Sequence, residues 1–368
     1  MTATADPKAL AERFGVSTRA AELLTSSELI DLHIDTFIPP RLPLVRYDVA
    51  RHHEKVFLGG RFFGHLDLPR VRSGGLTGAM WSITTNPFRT RASRWRLFQK
   101  NFARYRGLFD TTPGFAIAST AAEYRAARLR GDHVVLPAIQ GGNALEGAPD
   151  GLASTASLPG GLGPSGHPTI TRITLVHLTN TSFGITSSPF KLWKGKRGLT
   201  DLGRAFIADL NRHRVFVDLA HINQAGFWDA VAVHDKAQPL IATHTGVTGV
   251  KPHWRNLDDR QVRAIAETGG VIGVIYAKNF LARRGGPRDV GMVVEHMEHV
   301  MKVAGEDAVA LGTDYDGAII PPADLRSGDS YVRLVQRLLD RGHSEDRVRK
   351  VLGLNFLAAF ERLRPSPA

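Results

Sequence analysis

Short, nearly continuous apolar runs rich in β-branched residues recur along the chain at 29–34, 76–83, 134–139, 170–176, 215–219, 239–243, 270–276 and 308–312. Runs of this kind, rather than an apolar–polar alternation, belong to strands buried on both faces of a parallel sheet. Segments with helical spacing lie between them. Leu202, Phe206 and Leu210 recur every fourth residue in 202–211; 258–267 opens on two acids, as suits a helix N-terminus; 290–303 and 344–363 are amphipathic. Eight strands alternating with helices predict an α/β fold of the (β/α)8 TIM-barrel type. A doubly wound open sheet is the alternative, because periodicity does not reveal closure. Its nucleotide-binding forms are disfavoured, since no GxGxxG follows the first run and no Walker A sequence occurs.

Two stretches interrupt the alternation: a long basic connection at 41–65 and a flexible excursion at 147–168, rich in Gly, Pro, Ser and Ala. Both follow strand C-terminal ends, where a barrel builds its site. The expected organisation is a helical N-terminal extension over 1–24, a single barrel over 25–364 and a loose tail at 365–368.

The polar residues at the strand ends carry the chemistry. His33 and Asp35 are two apart in a strand and should project together. His177, His221, His244 and Asp314 end four further strands, and Asp316 lies two residues past Asp314. In a barrel these ends converge on one mouth. Collected imidazole and carboxylate is costly to bury without a cation, and the mixture suits Zn²⁺, with Mn²⁺ or Co²⁺ as substitutes.

Composition narrows the alternatives. Of 368 residues, 43% are hydrophobic and 22% charged, enough to bury a core and unlike a disordered chain. Lys and Arg total 47 against 35 acids, a net charge of +12. The excess is scattered arginine (Arg89, Arg91, Arg94, Arg96, Arg204, Arg212) without a basic run, so no nucleic-acid partner is expected. Cysteine is absent, which excludes disulfides, thiolate ligands and a Cys nucleophile. Residues 1–15 do not read as a signal peptide and no stretch approaches about 18 apolar residues, so a soluble cytoplasmic protein without a membrane partner is expected.

In combination and order, DLHIDT (31–36), HLDLPRVRSGGLTGAMWSI (65–83), ITLVHLTNTSFG (173–184), GLTDLGRAFIADLNRHRVFVDLAHIN (198–223), ATHTGV (242–247), WRNLDD (254–259), LGTDYDG (311–317) and LGLNFL (352–357) resemble the membrane (renal) dipeptidase family, a branch of the amidohydrolase superfamily of metal-dependent barrels. The likeness runs over roughly 29–363. It implies a hydrolase of dipeptides or related small amides, with two zinc ions bridged by a carboxylate and by a water or hydroxide. His33 and Asp35 would bind the first ion, and His221 and His244 the second. Asp314 would lie beside the first and carry the proton of the attacking water. His177 would face the substrate carbonyl, and Arg255 would pair with the terminal carboxylate, for which a guanidinium fork is well shaped. Asn143, Tyr276 and Trp254 are further candidates for substrate contact. A small dipeptide-like substrate is the implied partner, and a homodimer is compatible with the reading.

One central position departs from the family. Where a Glu bridges the two metals, this chain has Gln140, in the sequence Ile139-Gln140-Gly141-Gly142-Asn143, and Asn143 stands where the family often has His. The bridged site is formally neutral; with Gln it carries one excess positive charge. An amide offers one oxygen acceptor in place of two anionic ones. One retained zinc ion is therefore expected rather than two, held by His33, Asp35 and Asp314. A lone ion with an open position still acidifies water. The alternative is a lapsed homologue that binds a peptide or metabolite without efficient turnover. His52, His53 and His65 are expected to be exposed loop residues, and Asn355 to fix the last helix against the barrel.

Overall fold

Each of the eight apolar runs forms a strand in the computed structural model, which describes residues 5–42, 47–53, 57–85, 89–189 and 198–366. The strands are β1 (Ile30–Ile34), β2 (Gly78–Thr84), β3 (Phe115–Ile117), β4 (His133–Gln140), β5 (Arg172–Thr174), β6 (Phe216–Asp218), β7 (Ile241–Thr245), β8 (Val271–Val274) and β9 (Val309–Leu311). All pair in parallel, in the order β2-β1-β9-β8-β7-β6-β5-β4. A seven-residue ladder between β2 and β4, Gly78–Thr84 against Val134–Gln140, closes the ring. The fold is thus a closed (β/α)8 barrel, not the open sheet. The short β3 is an addition to the expected set. It pairs only with the beginning of β4, Phe115 opposite His133, while β5 takes the same side of β4 at its other end.

Helices fill the connections as the spacing predicts, over Asp201–Arg212, Asp259–Ala266 and Gly291–Ala304. Asp258 caps the second of these, and Gln261 returns the bond to complete a capping box. The predicted helix at 344–363 is broken into Glu345–Arg349, a π-helical turn at Lys350–Leu354, and Asn355–Leu363. The widened turn lies where Gly353 meets the backbone of Glu28; a Cβ there would stand 2.5 Å from the Glu28 carbonyl oxygen. Asn355 donates to the carbonyls of Glu306 (2.7 Å) and Val309 (2.8 Å), tying the last helix to β9. Phe356 and Phe360 of that helix pack on Phe216 and close the barrel floor with Ile30, Leu136 and Ile241.

A 21-residue helix, Arg91–Thr111, which the sequence reading did not single out, follows β2 and buries Trp95, Phe98, Phe102, Tyr105 and Phe109. The N-terminal extension forms Pro7–Phe14 and Thr18–Thr25, tied at Ser17 to Gln336 of the helix Val332–Asp340. The excursion at 147–168 carries the short helix Ala153–Ala156, and it is bonded to itself and the next residue through Gly163–His167 and Thr169–Gly161 (both 2.9 Å). Within the connection at 41–65, residues 43–46 and 54–56 lie outside the described residues, as do 367–368 of the tail. No helix among the described residues is long and apolar enough to cross a membrane.

Candidate metal centre

Two one-residue bulges aim the central imidazoles. Between Asp31 and Ile34, β1 carries one residue more than β2. Ile30 and Leu32 lie in the interior cluster with Phe216, and beyond the bulge His33 also faces inward. The carboxylate of Asp31 holds the distortion by accepting from the backbone N–H groups of His33 (3.1 Å) and Thr313 (2.9 Å). The same irregularity lies in β7 between Ala242 and Thr245, so Thr243 and His244 both face the site. Here Asp218 accepts from the Thr243 N–H (3.0 Å) and hydroxyl (2.7 Å).

Around these bulges the expected residues gather. The Nε2 atom of His33 stands 3.5 Å from both Asp35 Oδ2 and Asp314 Oδ1, is buried, and has no hydrogen-bond partner. The ring of His244 stacks on His33 at 3.8 Å, and His33, His244 and Asp314 offer ligand atoms within 4.8 Å of one another. The Nε2 atoms of His221 and His244 are 2.8 Å apart, and His177 stands edge-on to His221 at 4.7 Å. Imidazoles and carboxylates converging in one buried space fit a divalent cation.

Hydrogen bonding distinguishes the two halves of this cluster. Thr243 gives its proton to Asp218, so its oxygen accepts from Nδ1–H of His244 (2.8 Å), which places the lone pair of His244 on Nε2, 2.8 Å from Nε2 of His221. Gln140 is oriented by Arg172, which can only donate: the amide oxygen accepts from Arg172 Nη1 (3.2 Å) and Thr174 Oγ1 (2.8 Å). The amide nitrogen therefore points at His221 Nε2 (3.2 Å) and His244 Nε2 (3.5 Å). A donor thus occupies the space where a second cation would need an acceptor. Turning the amide over would set its NH2 group against the guanidinium.

Arg172 is the main residue the sequence reading missed. Fully buried, it spans the layer between the apolar floor and the imidazoles, reaching Ser82 Oγ (2.9 Å), His33 Nδ1 (2.7 Å), Thr174 Oγ1 (2.8 Å) and, at 3.6 Å, Asp218. A single cation inside the apolar run 170–176 was the available signal. Removing it strands Asp218 and Gln140, so Arg172→Met should lower unfolding stability by about 3–5 kcal/mol in urea titration. A loss below about 1 kcal/mol would mean that the layer repacks without its cation.

Burial governs the titration of the site. It pushes Asp314 well above the usual carboxylate range, and neighbouring Asp35 adds to the shift. Asp35 is itself desolvated, but His33 and the Thr84 hydroxyl (2.9 Å) hold it low. Burial pushes His177 down to about 4, leaving a neutral imidazole. Burial likewise brings Arg255 down to about 10; its Nη2 donates to the His244 carbonyl (2.7 Å) while its buried Nε has no partner. His221, Asp314 and Asp316 adopt left-handed backbone conformations, with φ of 67°, 63° and 65°. Such conformations cost roughly 1–3 kcal/mol each in non-glycine residues and collect at functional sites.

The cluster opens into a cavity of about 710 Å³ lined by Asp35, His177, His221, Trp254, Arg255 and Asp314, with His33, Gln140 and His244 beneath. Neither Asn143 nor Tyr276 is among its lining residues. Asn143 is buried in the turn Gly142–Leu145, just after Gly141, whose φ of 94° turns the chain out of β4. Tyr276 is fully buried, its ring edge-on to Tyr315 at 5.7 Å. His52 is exposed and His53 half-buried, but His65, expected on the surface, is only 1% exposed. It is drawn inward because its N–H and that of Gly64 donate to Asp316 (2.8 and 2.7 Å). Thr36 donates to the same carboxylate (2.7 Å), so Asp316 ties the loop after β9 to the connection after β1.

A family model described as membrane dipeptidase (peptidase family M19) matches residues 17–364. The crystal structure of a metallopeptidase from Rhodobacter sphaeroides, liganded with a phosphinate mimic of the dipeptide L-Ala-D-Ala, is similar at 28% identity, covering 92% of this chain and 99% of that one, with a TM-score of 0.76. A dipeptidase designated AC, a metallopeptidase of family M19, is similar at 28% identity over 93% of this chain and 100% of that one, also with a TM-score of 0.76. An uncharacterised protein encoded in the pqqA 5′ region of Klebsiella pneumoniae is 34% identical over 169 residues, which is 45% of this chain and 61% of that relative. The chain thus spans less than two thirds of the length of this curated relative.

Proposed function

The chain belongs to the membrane dipeptidase family, and from that premise we propose that it hydrolyses dipeptides or closely related small amides with one bound divalent cation, zinc in the first instance. The observation that carries this reading is the convergence of buried ligand atoms from His33, His244 and Asp314 within 4.8 Å of one another, with Asp35 beside them, at the mouth of a closed barrel. His33, Asp35 and Asp314 would hold the ion, with His244 beside them. When bound, such an ion supplies positive charge that polarises a carbonyl and acidifies water.

The chain's own groups divide the remaining tasks. Asp314, whose ionised form a neighbouring cation would favour, would take the proton of the attacking water and return it to the leaving amine. His177, neutral and on the cavity wall, donates to the carbonyl oxygen as negative charge develops there. Arg255 lies in the same wall with unspent donors and receives the terminal carboxylate. The cavity buries these groups away from bulk water, which strengthens each interaction.

Gln140 supports one ion rather than two, because its donor end faces His221 and His244. The same observation favours a second reading, a homologue that binds a dipeptide and turns it over poorly. The deciding experiment incubates the protein with Zn²⁺, Mn²⁺ or Co²⁺ and follows hydrolysis of a dipeptide panel that includes L-Ala-D-Ala, the dipeptide mimicked in the solved relative. Turnover that tracks metal content supports the first reading. A metal-loaded protein that binds dipeptides without cleaving them supports the second, and a protein that takes up no metal contradicts the first.

A further inference from the structure

The walls of the cavity are unevenly charged. Arg41, Arg89, Lys100, Arg104 and Arg255 line it, against only two acids, Asp35 and Asp314, which a bound cation would neutralise. Among the described residues, none of these five cations has a carboxylate within 4.0 Å. The contrast within a single helix is informative. In Arg91–Thr111, Arg94 is paired with Glu146 and Arg106 with Asp110 (3.0 Å), whereas Lys100 and Arg104, which line the cavity, are unpaired. The overall charge of +12 does not by itself explain this, because arginines elsewhere on the surface, such as Arg283 and Arg341, have found partners.

Arg41 and Arg104 hold a particular place. Both also line a second cavity of about 280 Å³ that adjoins the first and shares Pro40, Thr84 and Asn101 with it. Arg41 donates to the Thr84 carbonyl at the end of β2, and its buried Nε has no partner. Of the acids, the annexe has only Asp48 on its wall, and that carboxylate is engaged by Arg51 at 3.3 Å. Arg41 is half-buried and Arg104 exposed at the rim, and like charges gathered around one cleft repel one another and draw in an anion. A simple dipeptide brings one carboxylate, which Arg255 would take, and leaves the other cations without a counter-charge.

We propose that this site selects dipeptides carrying a second anionic group, an acidic side chain, which Arg41 and Arg104 receive at the junction of the two cavities. This selectivity rests on the dipeptidase reading above for the orientation of the backbone, and on the charge of the walls for the side chain. Arg89 and Lys100, exposed like Arg104, steer the anion toward the mouth.

The test uses non-hydrolysable phosphinate analogues of two matched pairs, Ala-Asp with Ala-Asn and Asp-Ala with Asn-Ala, titrated by calorimetry into the zinc-incubated full chain. In at least one pair the acidic analogue should bind about tenfold more tightly than its amide counterpart, as expected for a charge-assisted pair. Raising sodium chloride from 50 to 500 mM should shrink that ratio. Arg41→Met and Arg104→Met, checked for folding by near-ultraviolet circular dichroism, should each erase most of the preference while changing the amide analogue's affinity less than threefold. Equal affinities in both pairs for the unmodified protein would overturn the proposal, whatever the variants do. Equal affinities with turnover of neutral dipeptides would leave the hydrolase reading standing, and a tenfold preference without turnover would do the reverse.

Discussion

Gln140→Glu is expected to raise the zinc retained per chain after dialysis from one to two, with the second ion bound on the order of 10–100-fold more tightly than in the unmodified protein. The present amide spends its oxygen on Arg172 and Thr174 and turns its nitrogen toward His221 and His244. A carboxylate is symmetric in this respect. One oxygen can keep the bonds to Arg172 and Thr174 while the other presents an acceptor to the space between the imidazoles, and the added negative charge offsets the second ion. Metal analysis by plasma mass spectrometry reads the stoichiometry directly. Two ions already present in the unmodified protein would contradict the orientation of the amide. A variant that still holds one would show that something other than Gln140 limits the second site. The accompanying rate is informative too: a large gain would mark the natural protein as an impaired dipeptidase, and a loss would mean that the glutamine serves a different reaction.

Asp314→Asn should lower kcat by roughly 10²–10⁴-fold, the range that a positioned proton carrier contributes. Asparagine is a suitable probe because it is nearly the same size and tolerates the left-handed conformation that position 314 adopts, at φ 63°. It keeps one oxygen to offer a cation and loses both the negative charge and the ability to exchange a proton. Metal content measured on the same preparation separates two effects. A slow enzyme with its ion in place isolates the proton transfer, while a slow enzyme without it shows that Asp314 chiefly holds the ion. An unchanged rate with metal bound would remove Asp314 from the chemistry altogether.

Much of this molecule was legible before any coordinates. The eight apolar runs translate into the barrel strands because strands covered on both faces leave little room for polar residues. The strand β3 escaped notice because three residues, Phe115–Ile117, carry no periodicity. The helix Arg91–Thr111 escaped because its arginines obscure an aromatic stripe at Trp95, Phe98, Phe102, Tyr105 and Phe109. Strand-end histidines and aspartates identified the cluster, but the simple alternation used to place His33 and Asp35 together omitted the bulge between Asp31 and Ile34. The layer beneath was harder to see. Arg172, Thr174 and Asp218 act on one another across three strands, and such a network is a product of closure, not of local pattern. His65 illustrates the reverse error: its setting in a basic loop suggested exposure, yet a buried carboxylate from the far end of the chain, Asp316, draws it in.

The left-handed backbone at His221, Asp314 and Asp316 carries a consequence for laboratory evolution. Each of these side chains is held where glycine would sit more comfortably. A library screened for heat resistance alone, with no demand for catalysis, should therefore drift toward glycine at positions 221 and 314. It should drift less readily at 316, where the carboxylate anchors two loops. Variants enriched in that way would be sturdier and inert, and any programme to harden this barrel has to screen for turnover in the same round.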